Sequence, residues 1–95
     1  MAGKINRGDR VRVHIYNHHG QLLGSIEGTV SEVAPDKEVA PGVRKNLICV
    51  TGLEDYRRQD ASGQLNQVAE DWFADTVVEK IADASGKPVQ RLFLN

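Results

Sequence analysis

Residues 10 to 16 read Arg-Val-Arg-Val-His-Ile-Tyr. Val11, Val13 and Ile15 fall on one side of an extended chain, and Arg10, Arg12, His14 and Tyr16 fall on the other. A period of two fits a strand with one buried face and does not fit the 3.6-residue repeat of an amphipathic helix. Asn6-Arg7-Gly8-Asp9 leads into this strand, with Gly8 freeing the backbone to turn. After the turn cluster Asn17-His18-His19-Gly20 and Leu22-Leu23-Gly24, a second strand sets Ile26, Gly28 and Val30 against Glu27, Thr29 and Ser31. The phase slips at Val33, so a β-bulge is expected near Ser31 and Glu32. Gly28 in mid-strand predicts a sharp bend or a close crossing.

The two prolines and Gly42 between Pro35 and Lys45 predict a long exposed loop. Leu47-Ile48-Cys49-Val50 is short, apolar and partly β-branched, which predicts a central strand and a buried thiol at Cys49. Residues 53 to 70 form a long insertion of the kind that binds something or folds onto a partner, with one helical turn expected at Leu65 to Ala69. Asp71 to Ile81 reads as strand, tight turn at Ala74 to Thr76, and strand. Residues 84 to 88 read as a turn, and Val89 to Leu94 as a last strand. No repeat or low-complexity segment stands out.

At 95 residues, with 40% hydrophobic and 5% aromatic side chains, the chain is expected to be one domain with a core of Val, Ile, Leu and Ala. Its formal charge of -1 lacks the footprint of a nonspecific nucleic-acid binder. Residues 1 to 50 carry seven basic and five acidic side chains and residues 51 to 95 carry five and eight, an asymmetry that suits contact between copies. Cys49 is the single cysteine and cannot close an intramolecular disulfide. No apolar run has the length of a signal peptide or a membrane span, so the expectation is a soluble cytoplasmic protein with no membrane partner.

The Gly-Asp-Arg-Val-Arg-Val opening, the Gly-Thr-Val second strand, the apolar third strand and the closing Trp-Phe-Ala-Asp-Thr-Val-Val-Glu-Lys-Ile resemble SH3-like barrels. The resemblance extends to the variable chain of ferredoxin-thioredoxin reductase, the small extrinsic reaction-centre subunit of photosystem I and the plasmid-borne type II dihydrofolate reductases. It implies an all-β, SH3-like small barrel of five strands over about residues 6 to 81, with a C-terminal extension, 82 to 95, that adds a strand. In that architecture a single tight turn separates the last two barrel strands. Type II reductases bind ligands through a Val-Gln-Ile-Tyr segment in a pore between four barrels. The matching stretch here is Asp71-Trp72-Phe73-Ala74, so the resemblance does not carry that activity over.

The candidate binding residues are Tyr16, His18, His19, Tyr56, Arg57 and Arg58. His14, His18 and His19 are the only histidines and lack converging acidic or Cys partners, so no metal site is assigned. Arg10, Arg12, Arg44, Lys45, Arg57 and Arg58 with the two tyrosines could form a nucleic-acid surface, but acidic residues flank them. Glu70, Asp71 and Asp75 cluster without an adjacent nucleophile, and no phosphate loop or catalytic motif occurs. Trp72 and Phe73 must face opposite ways on a strand, and with Leu92, Phe93 and Leu94 they are the candidate interface residues. The chain therefore reads as a cofactor-free, non-enzymatic binding module. It is expected to be a subunit of a homo-oligomer or larger complex, binding through residues 17 to 25 and 53 to 70. An enzyme or ligand carrier with a pocket between subunits, and a nucleic-acid-binding barrel, stand as alternatives.

Overall fold

The computed structural model describes residues 4–88 and is all-β. The strands are β1 (Arg10–Tyr16), β2 (Leu22–Ala40), β3 (Val43–Thr51), β4 (Arg57–Gln59), β5 (Leu65–Gln67), β6 (Glu70–Ala74) and β7 (Val78–Ala82). A one-turn 3-10 helix, Asp75–Val77, joins β6 to β7 at the tight turn the sequence predicts. Five strands make one antiparallel sheet in the order β6-β3-β2-β1-β7, and β4 and β5 pair separately. β7 therefore returns to lie beside β1. The last strand expected at Val89 to Leu94 lies outside the described residues.

The 19 residues of β2 serve two neighbours in succession. Residues up to Thr29 pair with β1, and residues from Thr29 onward pair with β3, so Thr29 faces both Arg10 and Thr51. A strand that changes partners this way has to bend, and two local features sit at the change. The ladder to β3 skips between Val30 and Glu32, the expected bulge at Ser31. Gly28 supplies the close approach: a Cβ there would lie 2.5 Å from both the Thr51 carbonyl oxygen and Val50 Cγ1.

Alternation then fills the interior. Val11, Val13, Val30, Ile48, Val50 and Leu53 form the buried cluster, with Ile5, Ile15, Ile26, Val33, Tyr56, Phe73, Val77 and Val78 packed around it. Val11 and Val13 come from the buried face of the first strand, as its period requires. Ile48, Cys49 and Val50 are all buried, matching the expected central strand between β2 and β6.

Two expectations are corrected. Residues 35–45 are not a loop: β2 and β3 continue as an exposed hairpin arm with Glu38 opposite Arg44 and Ala40 opposite Val43. The prolines that suggested a loop occupy positions the ladder tolerates. Pro35 lies in the irregularity between Ala34 and Lys37, and Pro41 precedes Gly42 (φ 75°) in a two-residue turn. Leu65 to Ala69 form no helical turn, because β5 pairs residue by residue with β4. The pairing outweighs the short apolar spacing on which the helical reading rested. The insertion is an antiparallel hairpin, its base held by Leu53 N–H to the Ala69 carbonyl at 3.0 Å and Val68 N–H to the Tyr56 carbonyl at 3.1 Å.

The expectation of no repeat is also corrected. Asp60-Ala61-Ser62-Gly63-Gln64 and Asp83-Ala84-Ser85-Gly86-Lys87 fold alike, and Asn17-His18-His19-Gly20-Gln21 matches them. In each, the first side chain accepts the backbone N–H groups two and four residues on. In each, the glycine has positive φ: 78° at Gly20, 87° at Gly63 and 85° at Gly86.

Candidate functional site

The β1–β2 hairpin end gathers three of the seven large apolar side chains that are exposed among the described residues. Its turn is held by Asn17 Oδ1, which accepts the N–H groups of His19 and Gln21, each at 2.9 Å. Beyond the turn the register shifts: Ile15 faces Gly24 but Tyr16 faces Leu22, so Leu22 and Leu23 together oppose one tyrosine. Tyr16 is 49% exposed, Leu22 58% and Leu23 67%. These exposed apolar side chains are gathered at one hairpin end rather than scattered singly over the surface. His18 and His19 lie in the turn, their ring centroids 4.0 Å apart and their planes tilted by 42°.

Tyr16, His18 and His19 thus share one hairpin end. Leu22 and Leu23, which strand alternation passed over, complete it. A doublet of leucines directly after a turn breaks the period of two, and that was the available signal. His14 points elsewhere, its Nε2 lying 3.1 Å from Glu79 Oε1. Among the described residues no three of His, Cys, Asp and Glu converge as metal ligands would.

The second expected group has a different setting. Tyr56 packs edge-on against Phe73, ring centroids 5.6 Å apart, and its hydroxyl donates to Asp71 Oδ2 at 2.9 Å. Burial and then the Asp71 carboxylate push the phenol up to about 12. Arg58 reaches the other oxygen of Asp71 at 3.2 Å, and the Trp72 N–H donates to that same oxygen at 2.8 Å. Tyr56 and Arg58 therefore fasten the β4–β5 hairpin to β6. Arg57 sits opposite Gln67 and is exposed. Among the described residues no hydrogen bond, ion pair or ring contact joins residues 17–25 to residues 53–70.

The arginines are largely matched with carboxylates. Arg12 lies 3.0 Å and Arg10 3.8 Å from Glu27, and Arg44 lies 2.8 Å from Asp36 and 3.5 Å from Glu38. A phosphate backbone would have to displace these partners. Of the clustered carboxylates, Asp71 is engaged as described and Asp75 accepts Asn46 Nδ2 at 3.2 Å. Cys49 is buried, and burial pushes its thiol up, with Glu70 adding to the effect. A thiol so placed is a poor nucleophile.

Trp72 and Phe73 separate as a strand requires. Phe73 packs on the core and Trp72 is 42% exposed, beside an open cavity lined by Glu32, Val33, Ala34, Pro35 and Lys37. Leu92, Phe93 and Leu94 lie outside the described residues. No helix among the described residues is long and apolar enough to cross a membrane. In comparisons with protein-family models, curated proteins and solved structures, nothing matches the chain.

Proposed function

We propose that the protein is a non-enzymatic interaction module, a subunit of an oligomer or larger complex, that docks through the β1–β2 hairpin end. The observation that carries this reading is the exposed group Tyr16, Leu22 and Leu23, placed together by the register shift next to His18 and His19. Burying such side chains against a partner yields about 1.5–3 kcal/mol for each large apolar group, before the cost of association. The SH3-like reading of the chain is supported by the return of β7 to β1 and by the single 3-10 turn between β6 and β7. The pairing of Arg10, Arg12, Arg44 and Arg58 with carboxylates favours a protein partner over nucleic acid.

The test is affinity capture with the intact chain and with the double variant Leu22→Ser, Leu23→Ser, at low and high salt. Apolar docking predicts a partner that survives salt and is lost from the double variant. Capture that collapses with salt but tolerates both substitutions would overturn the reading in favour of an ionic surface.

A further inference from the structure

The first part of β2 has one side without a paired strand; beyond Ser25 and Glu27 that side opens onto a cavity whose lining includes Gly52 and Glu54. Residues 22–28 pair only with β1, because β3 joins at Thr29. Among the described residues no strand lies along the other side, and no loop backbone hydrogen-bonds to it. The outward N–H and C=O groups of this edge are therefore available to another strand. Natural edges are usually guarded by a charge, a proline or a bulge. Leu22-Leu23-Gly24-Ser25-Ile26 contains no charge and no proline, and its irregularity sits at the first two residues.

We propose that this edge pairs with its own counterpart in a second copy of the chain, antiparallel, about a two-fold axis at Gly24. This names the partner of the surface already proposed and rests on that reading. The segment is self-complementary in that arrangement. Leu22 of one copy stands opposite Ile26 of the other, and Leu23 stands opposite Ser25. The nearest charge, Glu27, falls opposite Gln21, so no like charges meet. Gly24 leaves the axis open, since a Cβ there would find nothing within 4 Å. Pairing would join two five-stranded sheets across the axis and draw Leu22 and Leu23 into the junction. A contact this short is small beside a standard interface, so association that depends on concentration is expected rather than an obligate dimer.

Sedimentation over a wide concentration range should show the mass rise from 10.5 kDa toward twice that value. Under mild oxidation Gly24→Cys should cross-link, because facing Cα atoms of an antiparallel pair lie about 4.5–5.5 Å apart, within disulfide reach. Val39→Cys, on the exposed arm, should not. Ser25→Lys should abolish association while leaving the circular dichroism unchanged. A strict monomer with no Gly24→Cys cross-link would overturn the pairing, leaving the docking surface to be judged by capture. Association that survives Ser25→Lys but falls with Leu22→Ser, Leu23→Ser would also overturn the pairing and keep the docking surface. Loss of association on removing residues 89–95, with Ser25→Lys silent, would assign the contact to the C-terminal segment instead.

Discussion

Lys80 Nζ lies 3.2 Å from Asp9 Oδ2, joining the residue before β1 to β7. Asp9 is only 2% exposed, and the same carboxylate oxygen accepts the Asn6 N–H at 2.7 Å. Its backbone carbonyl accepts the Val30 N–H at 2.9 Å, so one residue ties the leading turn, β2 and β7 together. Removing one partner of a buried pair strands the other's charge. Asp9→Ala is expected to cost about 3–5 kcal/mol in urea unfolding. The double change Asp9→Leu, Lys80→Met should be much milder than the sum of its single changes, a coupling that a double-mutant cycle measures.

Gly28 and Gly24 make a matched pair of probes on one strand. The space at Gly28 is closed by the Thr51 backbone oxygen, which cannot swing aside as a flexible side-chain end can. Gly28→Ala is expected to destabilise by about 1–3 kcal/mol, the usual cost of overpacking. Gly24→Ala, in open space, should stay within about 0.5 kcal/mol of the parent. Equal effects in thermal unfolding would mean that the crossing is not close.

Tyr56 provides a test at high pH. Its phenol is raised from 10.0 to about 12, so the folded protein holds this proton more tightly than the unfolded chain. The stabilisation is complete below about pH 10 and is lost as pH rises toward 12. Tyr56→Phe should lower stability at neutral pH and remove this part of the alkaline decline. Ultraviolet titration should find the Tyr56 phenol ionising near 12, and Asp71→Asn should lower it toward 10.0.

Asp60 gives the opposite sign. The Ser62 hydroxyl, Asn66 Nδ2 and the Gln64 N–H all donate to its carboxylate, holding it at about 2 against an ordinary 3.8. Its contribution is present above 3.8 and is lost as pH falls toward 2. Asp83 is shifted in the same direction, chiefly by Ser85. Asp60→Asn should keep the turn and remove its acid sensitivity, since Asn17 already holds the equivalent turn without a charge. Asp60→Ala should lose the turn itself, seen as faster amide exchange at Ser62 and Gln64.

The strand at Arg10–Tyr16, the bulge at Ser31, the close approach at Gly28 and the tight turn before Val78 were all legible in the sequence. Each depends on a few adjacent residues. The hairpin arm at 35–45 was misread because two prolines look the same in a loop as at a bulge and a turn. The D-A-S-G repeat was missed, because two four-residue matches look like ordinary turn composition until their shared hydrogen bonds are seen. Of the candidate site, Tyr16, His18 and His19 were singled out, whereas Leu22 and Leu23 were not, since their exposure follows from a register shift.

By itself the sequence determined the all-β class, the buried face of the first strand and the position of the bend in β2. Side-chain alternation and the freedom of glycine act over a handful of residues and need no knowledge of distant partners. Only the tertiary structure decided that Tyr56 and Arg58 fasten a hairpin through Asp71, that Glu27 takes up Arg10 and Arg12, and that Leu22 and Leu23 stay at the surface. Charge matching and exposure are set by which strands lie side by side and in what register, and that is a property of the whole sheet.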